Sequence, residues 1–409
     1  MNSAVTGSAG EGAGDVARNA RRPGARTMPD LLSQGFRPFF LAAGLWSTFA
    51  LALWIALYAG GEALPSRFDP LAWHIHEMLF GFVMAAVAGF LLTAIPNWTK
   101  RLPVAGWPLA GLVGLWAAGR LVCLVSALMP AWIAVAIDLA FPVVLAAVAA
   151  REIIAGGNWR NLPMVLPVLA LGVANLLMHL ETLGAALPQG LGWRLALAAV
   201  MVLISVVAGR IVPSFTRNWL AKRHHPKLPV QNTAIDRVAL GSLHLALFAW
   251  AVAPDFAPLG LLLIVAAALN LWRLLQWQGA ATLREPLLLI LHIGYGWLVL
   301  GTGLLGLAML SPEVPRQAAI HALTAGAAGT MILAVMTRAT RGHTGRALTA
   351  DRTTVVIYVL ATLAAAARVA APLGGDWGMA LIAASGGLWI AAFALFTLAY
   401  APMLLRPRP

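Results

Sequence analysis

Long apolar runs alternate with short polar stretches along most of the chain. A helix crossing about 30 Å of hydrocarbon needs about 20 apolar residues. Runs of that length, bounded by charge, Pro and Gly, predict twelve spans at approximately 38–59, 70–95, 107–129, 131–150, 161–182, 191–216, 234–253, 257–278, 286–310, 316–338, 353–373 and 378–404. The fold class expected is an all-α polytopic membrane protein. Residues 1–30 read as a Gly/Ala/Arg-rich disordered tail without a secretory signal, and 31–409 as the transmembrane domain.

The polar stretches differ in sign. Arg and Lys gather in the tail (Arg18, Arg21, Arg22, Arg26) and in every second loop, including Lys100 and Arg101, Arg151 and Arg160, Arg217 to Lys227, and Arg338 to Arg352. The intervening loops hold Arg67, Arg194 and Arg316, mostly diluted by acids. Positively charged loops stay on the cytoplasmic side, so both termini are expected there, in the bacterial inner membrane.

Composition supports this picture: 60% of the 409 residues are hydrophobic and 11% charged. The net charge of +13 would suit nucleic acid only if it formed a basic face on a folded soluble domain. Here it lies between spans, so no nucleic-acid partner is expected. A single cysteine, Cys123, excludes an internal disulfide, a thiolate cage and a CxxCH haem attachment. Any metal chemistry must therefore draw on the nine histidines, the methionines and the carboxylates.

The histidines are placed unusually. "DPLAWHIHEMLFGF" opens the second span with His74, His76 and Glu77, although ionisable groups in a membrane are costly and usually functional. The predicted topology brings His74, His76, His179 and His321 to one level near the outer face. His292 lies about two turns in from the cytoplasmic side, and His343 falls in the loop after the tenth span. Residues i and i+2 of a helix point about 200° apart. His74 and His76 therefore cannot both ligate one small ion from a regular helix, but they can serve two partners on opposite sides of it. Three imidazoles at one depth suit haem or copper, which makes His74, His76 and His321 the first candidate ligands and His292 and His179 the next. The competing reading of each is an interhelical hydrogen bond. Glu77, Glu181 and Tyr295 are candidate proton carriers, Tyr295 lying one turn after His292. Arg120 and Arg368 suit haem propionates.

A second set of polar motifs lies toward the cytoplasmic side: "GFRPFF" (35–40), "PNWTKR" (96–101), "GRIVPSFTRNWL" (209–220) and "MTRATRGHTGR" (336–346). They bring Arg37, Arg210, Arg217, Arg338 and His343 to one face. Together with "WHIHEMLFGF" and "LHIGYGWLVLG" (291–301), these motifs resemble the NnrS family of bacterial inner-membrane proteins, in order, from about Leu31 to the last span. Arg341 stands where the family pattern has an apolar residue, a departure expected to affect only a loop. The resemblance implies haem b and copper as cofactors, nitric oxide as ligand or substrate, and a role in nitric oxide metabolism and nitrosative-stress defence. It leaves the electron donor open. On that basis the expected activity is reduction of two NO to N2O. His74, His76, His321, His292, His179 and His343 are the candidate metal or haem ligands, with Arg120, Arg37 and Arg210 beside the cofactors. The rivals are a non-catalytic NO sensor, scavenger or metal-protection protein, and a transporter, against which stands the lack of a clear six-plus-six repeat.

Overall fold

A computed structural model describes residues 29–230 and 234–407; among them are helices and no strand. The tail predicted for residues 1–30 lies, up to residue 28, outside the described residues. Twelve helices are long and apolar enough to cross a membrane: α1 (Phe36–Gly60), α2 (Pro70–Thr99), α3 (Trp107–Leu128), α4 (Ala131–Ala155), α5 (Trp159–Thr182), α6 (Leu191–Ala221), α7 (Ala234–Val252), α8 (Pro258–Leu275), α9 (Pro286–Leu310), α10 (Arg316–His343), α11 (Arg352–Leu373) and α12 (Gly375–Leu405). The protein is an all-α, multi-pass membrane protein. An even number of spans returns the chain to one face, where Arg37 at the start of α1 donates to the carbonyls of Leu404 (3.0 Å) and Arg406 (2.7 Å). We call this the terminal face and the opposite one the distal face.

Successive helices pack as antiparallel neighbours, and α1 closes against α12. The interior is formed by α2, α6 and α10; 78% of the apolar window of α2 is buried, against 33% for α1. Apolar side chains gain nothing from leaving lipid for a protein interior, so close backbone approach at small residues drives such packing. Helices α8 and α9 show this: a methyl group on Gly260 would lie 2.7 Å from the Gly306 carbonyl, and one on Gly306 would lie 2.6 Å from the Gly260 carbonyl.

Three helices run further than apolar length predicts, α4 to Ala155, α6 to Ala221 and α10 to His343. The last corrects two expectations: His343 and Arg341 belong to a helix and not to a loop. Polar residues at this end of α10 find protein partners. Thr337 pairs with the Tyr358 hydroxyl (2.6 Å), and Arg341 donates to the Tyr400 hydroxyl (3.1 Å) and to Asp351. Asp351 caps α11, accepting from the Thr354 N–H at 2.8 Å.

The two innermost helices are not regular. In α2 residues Glu77–Val83 form a π-helical stretch, and in α10 residues Ala322–Gly329 form another. Each begins at the residue following a histidine, His76 or His321. Such stretches are rare and frequent at functional sites.

Candidate metal centre

Helix α2 starts where Asp69 Oδ1 accepts from the N–H groups of Leu71 and Ala72, both at 2.9 Å, with Pro70 as the first helical residue. The next turn carries the two histidines to opposite sides. His74 stacks on Trp54 of α1, ring centroids 4.2 Å apart and planes 24° from parallel. His76 points the other way, among α3, α4 and α5.

There it enters a cluster of fully buried polar groups. His76 Nδ1 lies 3.0 Å from Glu77 Oε1, while its Nε2 lies 3.0 Å from Asn175 Oδ1 and 3.1 Å from Asp138 Oδ2. Arg120 of α3 bridges two carboxylates, donating from Nη1 to Glu77 Oε1 at 2.7 Å and from Nη2 to Asp138 Oδ1. Asn175 Nδ2 donates to Asp138 Oδ2 at 2.8 Å, and His179 Nε2 donates to the same oxygen at 3.0 Å. Four helices thus converge on the Asp138 carboxylate.

Both nitrogens of His76 face oxygen acceptors, the arrangement of an imidazolium that donates twice. With Glu77 and Asp138 ionised and Arg120 and His76 cationic, the charges balance, as buried charges must. The balance leaves two loose ends, since Glu77 Oε2 and Arg120 Nε are buried without a hydrogen-bond partner.

The same groups make a metal donor set. One ligand atom from each of His76, Cys123, Asp138 and His179 lies within 4.8 Å of all the others, and all four residues are buried. Two imidazoles, a thiol and a carboxylate suit copper or zinc, since thiolate and imidazole select these softer ions. An ion here would replace the protons that His76 and His179 give to Asp138. Asn175 and Arg120 would then hold the liganding carboxylate from outside.

His74 and His321 form a separate pair. His321 and Arg368 are near enough for their charges to act on His74. His74 Nδ1 is buried and unpartnered. His321 donates or accepts through Nδ1 to the Gln317 carbonyl at 2.7 Å, and among the described residues its Nε2 makes no hydrogen bond. The structure therefore divides the expected trio: His321 lies within electrostatic reach of His74, while α2 turns His76 to its opposite side, as the i, i+2 spacing requires.

The remaining candidates lie elsewhere. His292 bonds Thr216 at 3.0 Å and leaves Nδ1 buried and unpartnered. Tyr295 donates to Asn270 (2.6 Å) and accepts from Arg273 (2.7 Å), joining a network in α8 and α9 apart from the cluster. Glu181 accepts from the Gly190 N–H at 2.7 Å and ties down a loop. Arg37 holds the chain's end, as described above, and among the described residues Arg210 reaches Asn161 alone, at 3.3 Å from an exposed position. Neither is placed near the His76 cluster. His343 packs on Phe36 (centroids 5.5 Å) beside a cavity at the terminal face.

Asp138 and Asn175, the hub of the cluster and its amide partner, were not among the sequence candidates. A lone acid in the apolar run "AWIAVAIDLAFPVVL" was a readable signal by the rule that made Glu77 a candidate. Cys123 alone is too few for a disulfide or thiolate cage, yet packing of α3 brings it into the mixed donor set as its single sulfur.

The model of the family described as NnrS protein matches residues 30–408. No curated protein matches the chain.

Proposed function

The chain belongs to the NnrS family, and from that premise and the geometry of the buried cluster we propose a haem- and copper-binding inner-membrane protein of nitric oxide metabolism that reduces two NO to N2O. The observation that carries the proposal is the four-residue donor set His76, Cys123, Asp138 and His179, buried and drawn from four helices. The copper is assigned to this set, whose soft donors fit it. The haem is assigned to His74 and His321, each of which keeps a ring nitrogen without a hydrogen bond among the described residues, with Arg368 available to a propionate.

Reduction of two NO consumes two electrons and two protons and releases N2O and water. The bound metals would supply the electron-transfer and NO-binding chemistry. The protein's own groups would exclude bulk water, orient the His76 imidazole through Glu77 at Nδ1, hold the Asp138 carboxylate through Asn175 and Arg120, and hold protons. Glu77 is the favoured proton carrier: one carboxylate oxygen is held by Arg120 and His76, and the other is free.

A second reading, binding of NO without turnover for sensing or scavenging, is favoured by one feature: the two sets of imidazoles lie on opposite sides of α2. Purified protein given reductant and NO distinguishes the two. Catalytic NO loss with N2O release supports the reductase, whereas one-to-one binding without N2O excludes it. A metal and haem count on the same preparation tests the cofactors.

A further inference from the structure

We propose that the terminal face holds a binding site for an isoprenoid quinone, built between α1, α2, α6, α9 and α10. A half-open cavity there has a volume of about 280 Å³, close to the lower bound of about 300 Å³ for small-molecule sites and enough for a single ring. Its polar lining is Thr93, Asn97, Arg338 and His343, with no acidic side chain. A second, narrow cavity of about 60 Å³ has only apolar side chains in its lining, from Val83 on α2 to Met331 on α10. The two share Phe40, Phe90 and Val335 as walls. The two cavities, on either side of these walls, place hydrogen-bond donors in one and hydrocarbon in the other.

The donors are uncommitted. Arg338 lies with its guanidinium carbon 4.2 Å from the centroid of the Phe215 ring, and among the described residues it makes no hydrogen bond or ion pair. Among the described residues Asn97 makes a single long hydrogen bond, from Nδ2 to the Thr93 carbonyl at 3.3 Å. His343 rests on Phe36 and among the described residues makes no hydrogen bond. Glu285 attracts Arg338 without pairing directly with it among the described residues and does not line the cavity; a cation held in a membrane span without a direct ion pair is costly and marks a ligand pathway. Without a carboxylate the site does not suit a metal cation. It suits oxygen acceptors on an apolar body.

Among such molecules the lining favours a flat ring. Phe40, Phe90 and Phe215 line the cavity with aromatic rings, and the acceptors would meet donors on two helices, Asn97 on α2 and Arg338 on α10, as the two carbonyls of a quinone require. A phospholipid head would bring a full phosphate charge to a single guanidinium and leave no use for the aromatic walls. The deeper apolar cavity takes the first part of the tail. Quinone binding here does not depend on the metal assignments above, and its failure would leave them standing.

The test uses the full chain in nanodiscs, with quinone extracted and quantified by chromatography and with decylubiquinone titrated into quinone-free protein. About one quinone per chain and saturable decylubiquinone binding are expected. Arg338→Gln should weaken binding about tenfold or more, the effect of losing one hydrogen bond to a charged group. Val207→Phe, which fills the apolar cavity, should weaken a long-tailed quinone more than a short-tailed one. Metal content and NO consumption with an artificial reductant, measured on the same samples, should be unchanged by Val207→Phe. Extraction of phospholipid in place of quinone, non-saturable binding, or loss of haem absorbance in His343→Ala would each overturn the assignment.

Discussion

In metal-free protein, the charge balance of the buried cluster is open to direct test through Arg120. Its side chain is 3% exposed, and it bridges Glu77 and Asp138, whose side chains are both 0% exposed. Arg120→Met removes one of two cations and leaves two carboxylates facing one imidazolium. Removing one partner of a buried pair costs about 3–5 kcal/mol, mostly because the remaining charge stays desolvated. The double variant Arg120→Met with Glu77→Gln restores neutrality, since Asp138 keeps its contacts with His76 at 3.1 Å and His179 at 3.0 Å. It should be more stable than Arg120→Met alone by roughly 2 kcal/mol, within the range measured for residues of one network. Unfolding in mixed micelles of rising sodium dodecyl sulfate fraction, followed by tryptophan fluorescence, reads both quantities. Simple additivity of the two substitutions, or a loss below about 1 kcal/mol for Arg120→Met, would refute the ionic description of the cluster.

Other expectations follow from separate parts of the molecule. Cys123→Ser and His179→Ala should lower copper per chain, read by elemental analysis. His74→Ala and His321→Ala should remove haem absorbance while His76→Ala leaves it, because His76 faces the other side of α2. At the terminal face, burial opposes ionisation of Asp351, yet hydrogen bonds from the Thr354 N–H and hydroxyl and from Arg341 hold its carboxyl below the ordinary value. Asp351→Asn should therefore cost stability at neutral pH, where the folded-state preference for the carboxylate is fully present. The gap should shrink as pH falls below about 4, the unfolded carboxyl value, and close below the folded one. Equal gaps at pH 7 and about pH 3 would count against it. Gly306→Val should destabilise by about 1–3 kcal/mol in the same micelle assay, because its side chain would press on the Gly260 carbonyl.

The sequence by itself determined the twelve spans, because the hydrocarbon thickness sets a length and every backbone polar group inside it must be satisfied within a helix. It also determined that His74 and His76 look in opposite directions, since helical rotation is a local property. It did not determine what each would meet. Asp138, Asn175 and Cys123 stand far from His76 along the chain, and only the packing of α3, α4 and α5 against α2 places them beside it. The helical continuation of α10 to His343 and the π-helical stretches were likewise hidden. Polar residues such as Thr337 and Arg341 end a membrane span by composition, but partners on α11 and α12 keep them in the helix. Depth and direction are set by local geometry, whereas partnership depends on which helices become neighbours, and that is decided by packing across the whole bundle.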